Sequence, residues 1–212
     1  MEISDGFSAC GQEGQKVVYA KVLDNVEPKS VWDPLQHLYS MAKNMLSLRN
    51  FTTDDLDHFL EWATDPQVTQ FLTWEPYRSR EEALSFLRRV AIPNPWLKAI
   101  CLDGKAIGSI NLRKGSDIHK CVAEMGYCLA RKYWGKGYAT QAVKLAVSTG
   151  FEDVGVSRIQ ALVHPENIGS RRVLEKAGFQ QDAVLRNFMM VGVGGRERVS
   201  DALLFSALPK TS

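Results

Sequence analysis

The stretch Arg131-Lys132-Tyr133-Trp134-Gly135-Lys136-Gly137-Tyr138-Ala139 constrains the fold of this chain more than any other segment. Before it runs an apolar, strand-like segment, Val122 to Leu129. After it, Ala139, Ala142, Val143, Ala146, Val147, Gly150 and Phe151 recur with helical period and give one apolar face. A strand is therefore followed at once by two closely spaced glycines and a helix. The first backbone N–H groups of a helix have no partner inside it, and the positive end of the dipole lies there. Glycine removes the Cβ that would keep an anion away from those groups. The flanking cations Arg131, Lys132 and Lys136 either add charge to such a site or are solvated surface groups. An ordinary tight turn would use the same two glycines, so a second segment is needed to decide.

That segment is His164-Pro165-Glu166-Asn167-Ile168-Gly169-Ser170-Arg171-Arg172-Val173-Leu174-Glu175-Lys176-Ala177-Gly178-Phe179. In this order and separation, the two segments resemble motifs A and B of the GNAT superfamily of acyl-CoA N-acyltransferases. Their detail is similar to the Rim-type branch, named for ribosomal-protein alanine acetyltransferases. The likeness extends to Leu48-Arg49, Thr53-Asp54-Asp55, Trp62 to Val68 and Ser79 to Ala83, and covers roughly Leu46 to Leu208.

Other features narrow the class. At 212 residues with a net charge of +2, the chain suits one domain plus extra length and presents no general nucleic-acid surface. No apolar stretch is long enough to span a bilayer. Cys10, Cys101, Cys121 and Cys128 form no Cys-x-x-Cys pair and no metal-ligand spacing, so reduced thiols, a cytoplasmic location and no metal are expected. Residues 1–44 read as an N-terminal extension, with a short helix expected between Val31 and Met45. Residues 45–209 read as the acyltransferase domain.

Within that domain the sequence predicts a first strand at Leu46 to Arg49 and a helix capped by Thr53 through Ala63. Ser79 and Glu82 predict a capping box for a helix to about Val90. Trp96 to Leu102 and Ala106 to Leu112 are strands joined at Asp103-Gly104. Val122 to Leu129 and Ser157 to Val163 are further strands, and Ile168 to Ala177 is a helix stopped by Gly178. Gln180 to Val191 and Arg198 to Ser206 are strands about a Gly194-Gly195 turn. The fold class is α/β (α+β), and the resemblance implies a mixed, mainly antiparallel sheet with helices on both faces.

The resemblance also implies acetyl-CoA as cosubstrate. Its pyrophosphate is expected on the loop residues Lys132, Trp134, Gly135, Lys136, Gly137, Tyr138 and Ala139, and its pantetheine arm along Cys128, Leu129 and Ala130. A strand bulge before the loop is expected to expose an N–H to the reacting carbonyl. Asn167 either bonds that arm or caps its helix, and the two roles are compatible. Glu124 is the expected general base, with a structural ion pair as its alternative. Many members carry a tyrosine seven positions after Asn167; here Leu174 stands there, and Ser170 becomes the candidate acid. His164 reads as structural. The segment Thr73-Trp74-Glu75-Pro76-Tyr77, the loop Lys114 to Lys120 and the Gly192-Gly194-Gly195 turn are expected at the acceptor mouth, while Arg186 and Asp201 match either the branch or a buried ion pair. The implied activity is acetyl transfer to a primary amine, first a protein N-terminus. The alternatives are a small amine, polyamine or antibiotic-like, and a non-catalytic acyl-CoA-binding module. A homodimer is left open.

Overall fold

The computed structural model describes residues 46–72, 74–191 and 198–209. The helix expected between Val31 and Met45 and the Gly194-Gly195 turn lie outside them. Asp103 and Gly104 both take positive φ, 50° and 79°, the pair of left-handed residues a two-residue hairpin turn requires. They join β2 (Leu97–Leu102) to β3 (Lys105–Lys114). Around this hairpin a sheet of seven strands forms, with β1 (Leu46–Asn50), β4 (Val122–Leu129), β5 (Arg158–Val163), β6 (Gln180–Val191) and β7 (Arg198–Ala207). The strand order is β1-β2-β3-β4-β5-β7-β6, and only β4 and β5 are parallel neighbours.

Alternation along the strands sends successive side chains to opposite faces. One face carries Ile110, Leu112, Met125 and Ile159 and packs on α4 (Tyr138–Val154) and α5 (Ile168–Ala177). The other carries Ala99 and Cys101 and packs on α1 (Leu56–Ala63) and α3 (Arg80–Phe86), with the short α2 (Pro66–Thr69) between them. Helices therefore flank both faces of a mainly antiparallel sheet. At Gly150 of α4 an added Cβ would lie 2.5 Å from Leu112 Cδ1, so glycine is what lets the helix sit this close. Gly178, at φ 94°, ends α5 in the left-handed conformation that the sequence requires of it.

Two helix starts differ from expectation. Thr52, not Thr53, is the first cap, because Asp55 reaches back to accept the Thr52 N–H at 2.9 Å and a 3-10 turn (Thr53–Asp55) precedes α1. Ser79 Oγ accepts from the Glu82 N–H at 3.1 Å, but Glu82 returns the bond to Arg78 N rather than to Ser79. The expected helix to Val90 widens after Phe86 into a π turn over Leu87–Ala91.

Asp55 ties the start of α1 to the sheet. Its carboxylate is 4% exposed and takes a two-pronged bond from Arg49, at 2.6 and 2.7 Å. Desolvation pushes its pKa up, but the bonds from Arg49 and Thr52 together outweigh that push and hold it below its ordinary value. A depressed carboxylate stabilises the fold above its unfolded pKa of about 3.9, and the gain disappears as pH falls through the lower folded value. Asp55→Asn is expected to cost about 1–3 kcal/mol at neutral pH by urea unfolding. The deficit relative to wild type should shrink as pH falls below the ordinary carboxylate range and vanish once pH passes the lowered folded value, where the wild-type carboxyl is protonated as well. A deficit constant down to acid pH would show that the charge contributes nothing.

Candidate active site

β4 pairs with β3 from Ala123 to Leu129 but with β5 only from Val122 to Glu124. Beyond that point β5 continues alongside β7 instead. The two parallel strands separate like the arms of a V. One arm leads into the glycine loop and the other into the turn before α5. A cleft of about 650 Å³ lies between them, and its walls include Leu129, Trp134, Gly135, Gly137, Tyr138 and Ala139 on one side and Glu166 to Ser170 on the other. Gln67, Val68, Gln70, Phe71 and Leu72, from the region of α2, form a third wall.

The glycine loop has the form an anion site needs. Gly135 and Gly137 adopt φ of 73° and 80°, and a Cβ at either would meet nothing within 4 Å, because both face open space. Gly137 is the N-cap of the 17-residue α4, and no side chain caps that end. The first-turn N–H groups of a long helix are thus left for a ligand. Trp134 donates its indole N–H to the Leu129 carbonyl at 2.8 Å and so fastens the loop to the end of β4.

The flanking cations behave differently. Lys132 Nζ sits 2.6 Å from Glu61, a bond that raises its pKa, and Arg131 reaches Asp65 at 3.1 Å and Gln67 at 3.1 Å. Both join the loop to α1 and its following turn rather than line the cleft. Lys136 lies over the Tyr133 ring at 5.8 Å, outside the lining. Ala130 is buried at 2%, with its N–H bonded to Ile107 O. Of the residues expected to meet the cosubstrate, Ala130, Lys132 and Lys136 are therefore not brought to the cleft wall.

Asn167 caps α5, its Oδ1 accepting the Ser170 N–H at 3.0 Å. Asn167 also lines the cleft, so the cap does not take it away from a ligand there. Ser170 Oγ is 2.7 Å from the Tyr127 hydroxyl, which also donates to the Ser170 carbonyl at 3.1 Å. Burial pushes the Tyr127 phenol well above its ordinary pKa, so it stays protonated. Tyr127 bridges the arms of the V, and the sequence reading missed it because nothing in a strand pattern marks a cross-gap bond. His164 is 4% exposed; its Nδ1 accepts the Glu166 N–H at 3.2 Å and Nε2 is 3.0 Å from Ser200 Oγ. Phe71 stacks on its ring at 5.3 Å.

Glu124 stands at the apex of the V, the last position paired with β5. It does not line the cleft; Arg113 holds its carboxylate at 2.8 Å on a half-exposed surface. Trp74 and Tyr77 pack on each other and Tyr77 on Phe59 and Phe86. The loop after Lys114 lies away from the cleft, because it precedes β4 while the glycine loop follows it; Lys114 binds the carbonyls of Val154 and Gly155 at the far end of α4. Asp201 accepts the Asn187 N–H at 2.9 Å at an irregularity in β6, and Arg186 is exposed. The Gly192-Gly194-Gly195 turn and Thr73 lie outside the described residues.

The acetyltransferase (GNAT) domain family matches residues 45–180, more than half of the chain. The protein belongs to the GNAT family of N-acetyltransferases. The N-acetyltransferase p20 of Bacillus licheniformis is 29% identical over 177 residues, covering 78% of this chain and 93% of p20. The spermidine N(1)-acetyltransferase of Escherichia coli K12 is 28% identical over 146 residues, 68% of this chain and 77% of that protein. Among solved structures, spermidine N-acetyltransferase from Vibrio cholerae in complex with CoA and spermine has a TM-score of 0.65 at 22% identity, over 77% and 95% of the two chains. RimJ of Mycobacterium smegmatis in complex with CoA-disulfide has a TM-score of 0.65 at 23%, over 78% and 83%. The chain is an acetyl-CoA-dependent acetyltransferase, and the V, the glycine loop and Asn167 fit that cosubstrate. No helix among the described residues is long and apolar enough to cross a membrane.

Gly137→Val is expected to abolish detectable acetyl-CoA binding by calorimetry. A branched side chain would fill the open space and stand at a φ that costs about 1–2 kcal/mol for an L-residue. Circular dichroism should still report a folded chain. Unchanged binding would remove the loop from the cosubstrate site.

Proposed function

We propose that the protein acetylates a small aliphatic primary amine of the polyamine kind, by direct transfer with amine and acetyl-CoA bound together. The observation that carries this reading is the stack of Phe71 on His164. It joins Phe71 of the α2 wall, which lines the cleft, to the buried His164 at the end of β5, and on this reading the aromatic wall so fixed admits a slender acceptor. Glu166 lines the same cleft, and its exposed carboxylate, which Arg198 approaches at 3.6 Å, is the acid that would meet a second ammonium group. Likeness to two spermidine acetyltransferases supports the same class. A protein N-terminus is the second reading, supported by the likeness of the motifs to the Rim-type branch and of the fold to RimJ.

Acetyl-CoA supplies an activated acyl carbonyl. The edge of β4 beyond Glu124, which β5 leaves unpaired, offers backbone N–H groups to the oxygen as negative charge develops there. The acceptor arrives mostly protonated, since an alkylamine has a pKa of about 10.4. Glu124 would take the amine proton, through water because it stands outside the lining. Ser170, its rotamer fixed by Tyr127, would pass a proton to the departing sulfur. The amine nitrogen gains the acyl bond as the carbon–sulfur bond breaks.

Two outcomes test the reading. Released thiol should give a kcat/KM for spermidine at least about tenfold above that for short peptides with free N-termini. The reverse order would move the assignment to the second reading. Glu124→Gln should leave acetyl-CoA binding intact and lower kcat roughly 100-fold, with the defect shrinking at alkaline pH as solvent deprotonates more amine. A near wild-type rate across that range would leave Glu124 as the partner of Arg113 alone.

A further inference from the structure

The cleft has two cations, both within the second motif segment, to which the proposed mechanism gives no role. Arg172 and Lys176 stand one turn apart on α5, at the i and i+4 spacing that puts two side chains on one helix face. Both line the cleft, on the wall opposite the glycine loop. Both are exposed, and neither has an ion-pair partner among the described residues. Arg131 and Lys132 form the contrast: they flank the glycine loop yet are matched to Asp65 and Glu61. The positive charge left free at this cleft therefore comes from α5, while the loop offers amide groups.

A cosubstrate with two separate anionic groups fits this division. Coenzyme A carries a pyrophosphate and, on the ribose of its adenosine, a further 3′-phosphate. Backbone amides at a helix start suit the pyrophosphate. A guanidinium and an ammonium on the facing helix suit a terminal phosphate with three exposed oxygens, which Arg can grip with a fork of donors. We propose that Arg172 and Lys176 form the seat of the 3′-phosphate and make the enzyme select coenzyme A over its 3′-dephospho form. This rests on the acetyl-CoA reading of the cleft and adds to it a specificity neither glycine loop nor Asn167 can supply.

Calorimetry of the full chain with CoA and with 3′-dephospho-CoA tests it directly. The wild type should bind CoA about tenfold or more tightly than the dephospho form, the scale of one or two charge-assisted contacts. Arg172→Ala and Lys176→Ala should each reduce that ratio, and the double variant should bring it near one with dephospho-CoA affinity unchanged. Lys144→Ala removes an exposed cation from α4 outside the cleft and should leave the ratio intact. Equal wild-type affinity for the two ligands would overturn the proposal. So would a double variant that weakens both equally, which means general attraction or pyrophosphate contact, or one that keeps full selectivity. Failure of the cosubstrate reading itself looks different: Gly137→Val would then leave CoA binding untouched.

Discussion

Everything at this site follows from the point at which β5 stops pairing with β4. A continuous parallel ladder would satisfy both strand edges and leave no cleft. Here the ladder ends at Glu124 and Gln160, after which β5 takes its partners from β7 alone. Tyr127 bridges the gap, and Trp134 fixes the loop to the arm that it ends. The Tyr127 hydroxyl reaches across to Ser170, and Trp134 caps the Leu129 carbonyl from the loop side. Under the proposed mechanism each arm of the V then carries half of the chemistry: the uncapped start of α4 on one, Asn167 and Ser170 on the other. The unpaired backbone between them is what a polar pantetheine chain can bond.

Local chemistry made much of this legible. Asp103-Gly104 permits few connections other than a tight hairpin, and Gly178 can hardly do other than end α5. The periodic alanines and valines of α4 named its buried face, of which Ala142, Val143, Ala146 and Gly150 are buried. Side-chain partners across the fold were not legible. Nothing local announces that Lys132 meets Glu61, or that Arg113 holds Glu124, since each pair depends on how two distant elements face each other. The same holds for Tyr127, which reads as one more strand aromatic until α5 is set against it. Thr52 displaced Thr53 as a cap for a similar reason, because Asp55 could serve Thr52 N and Arg49 at once.

The paired cations of the loop have a consequence for rigidity. Arg131 and Lys132 bind Asp65, Gln67 and Glu61, so the loop is fastened to the wall formed near α2. These pairs are largely exposed, and each contributes at most about 1 kcal/mol. Their effect is on placement rather than stability: the anion-binding arm and the α2 wall keep a common position. Sequence proximity to a phosphate loop thus says little about whether a cation touches phosphate. What matters is whether an acid elsewhere has already claimed it.

Leu174 shows the same separation between sequence position and reach. It is 0% exposed and lies in the core between α5 and the sheet, whereas Ser170, one turn earlier, remains at the cleft. α5 therefore runs from cleft to core along its length. A tyrosine at position 174 would have to fit its ring into the fully buried space that Leu174 fills in the core cluster to which Leu129, Val143 and Ile159 also belong. Overpacking of that kind costs about 1–3 kcal/mol. The departure from the common pattern is thus coupled to how tightly this helix seats on the sheet. Under the proposed mechanism the hydroxyl nearest the leaving sulfur is then Ser170, and the tyrosine that supports it comes from β4 instead of from α5.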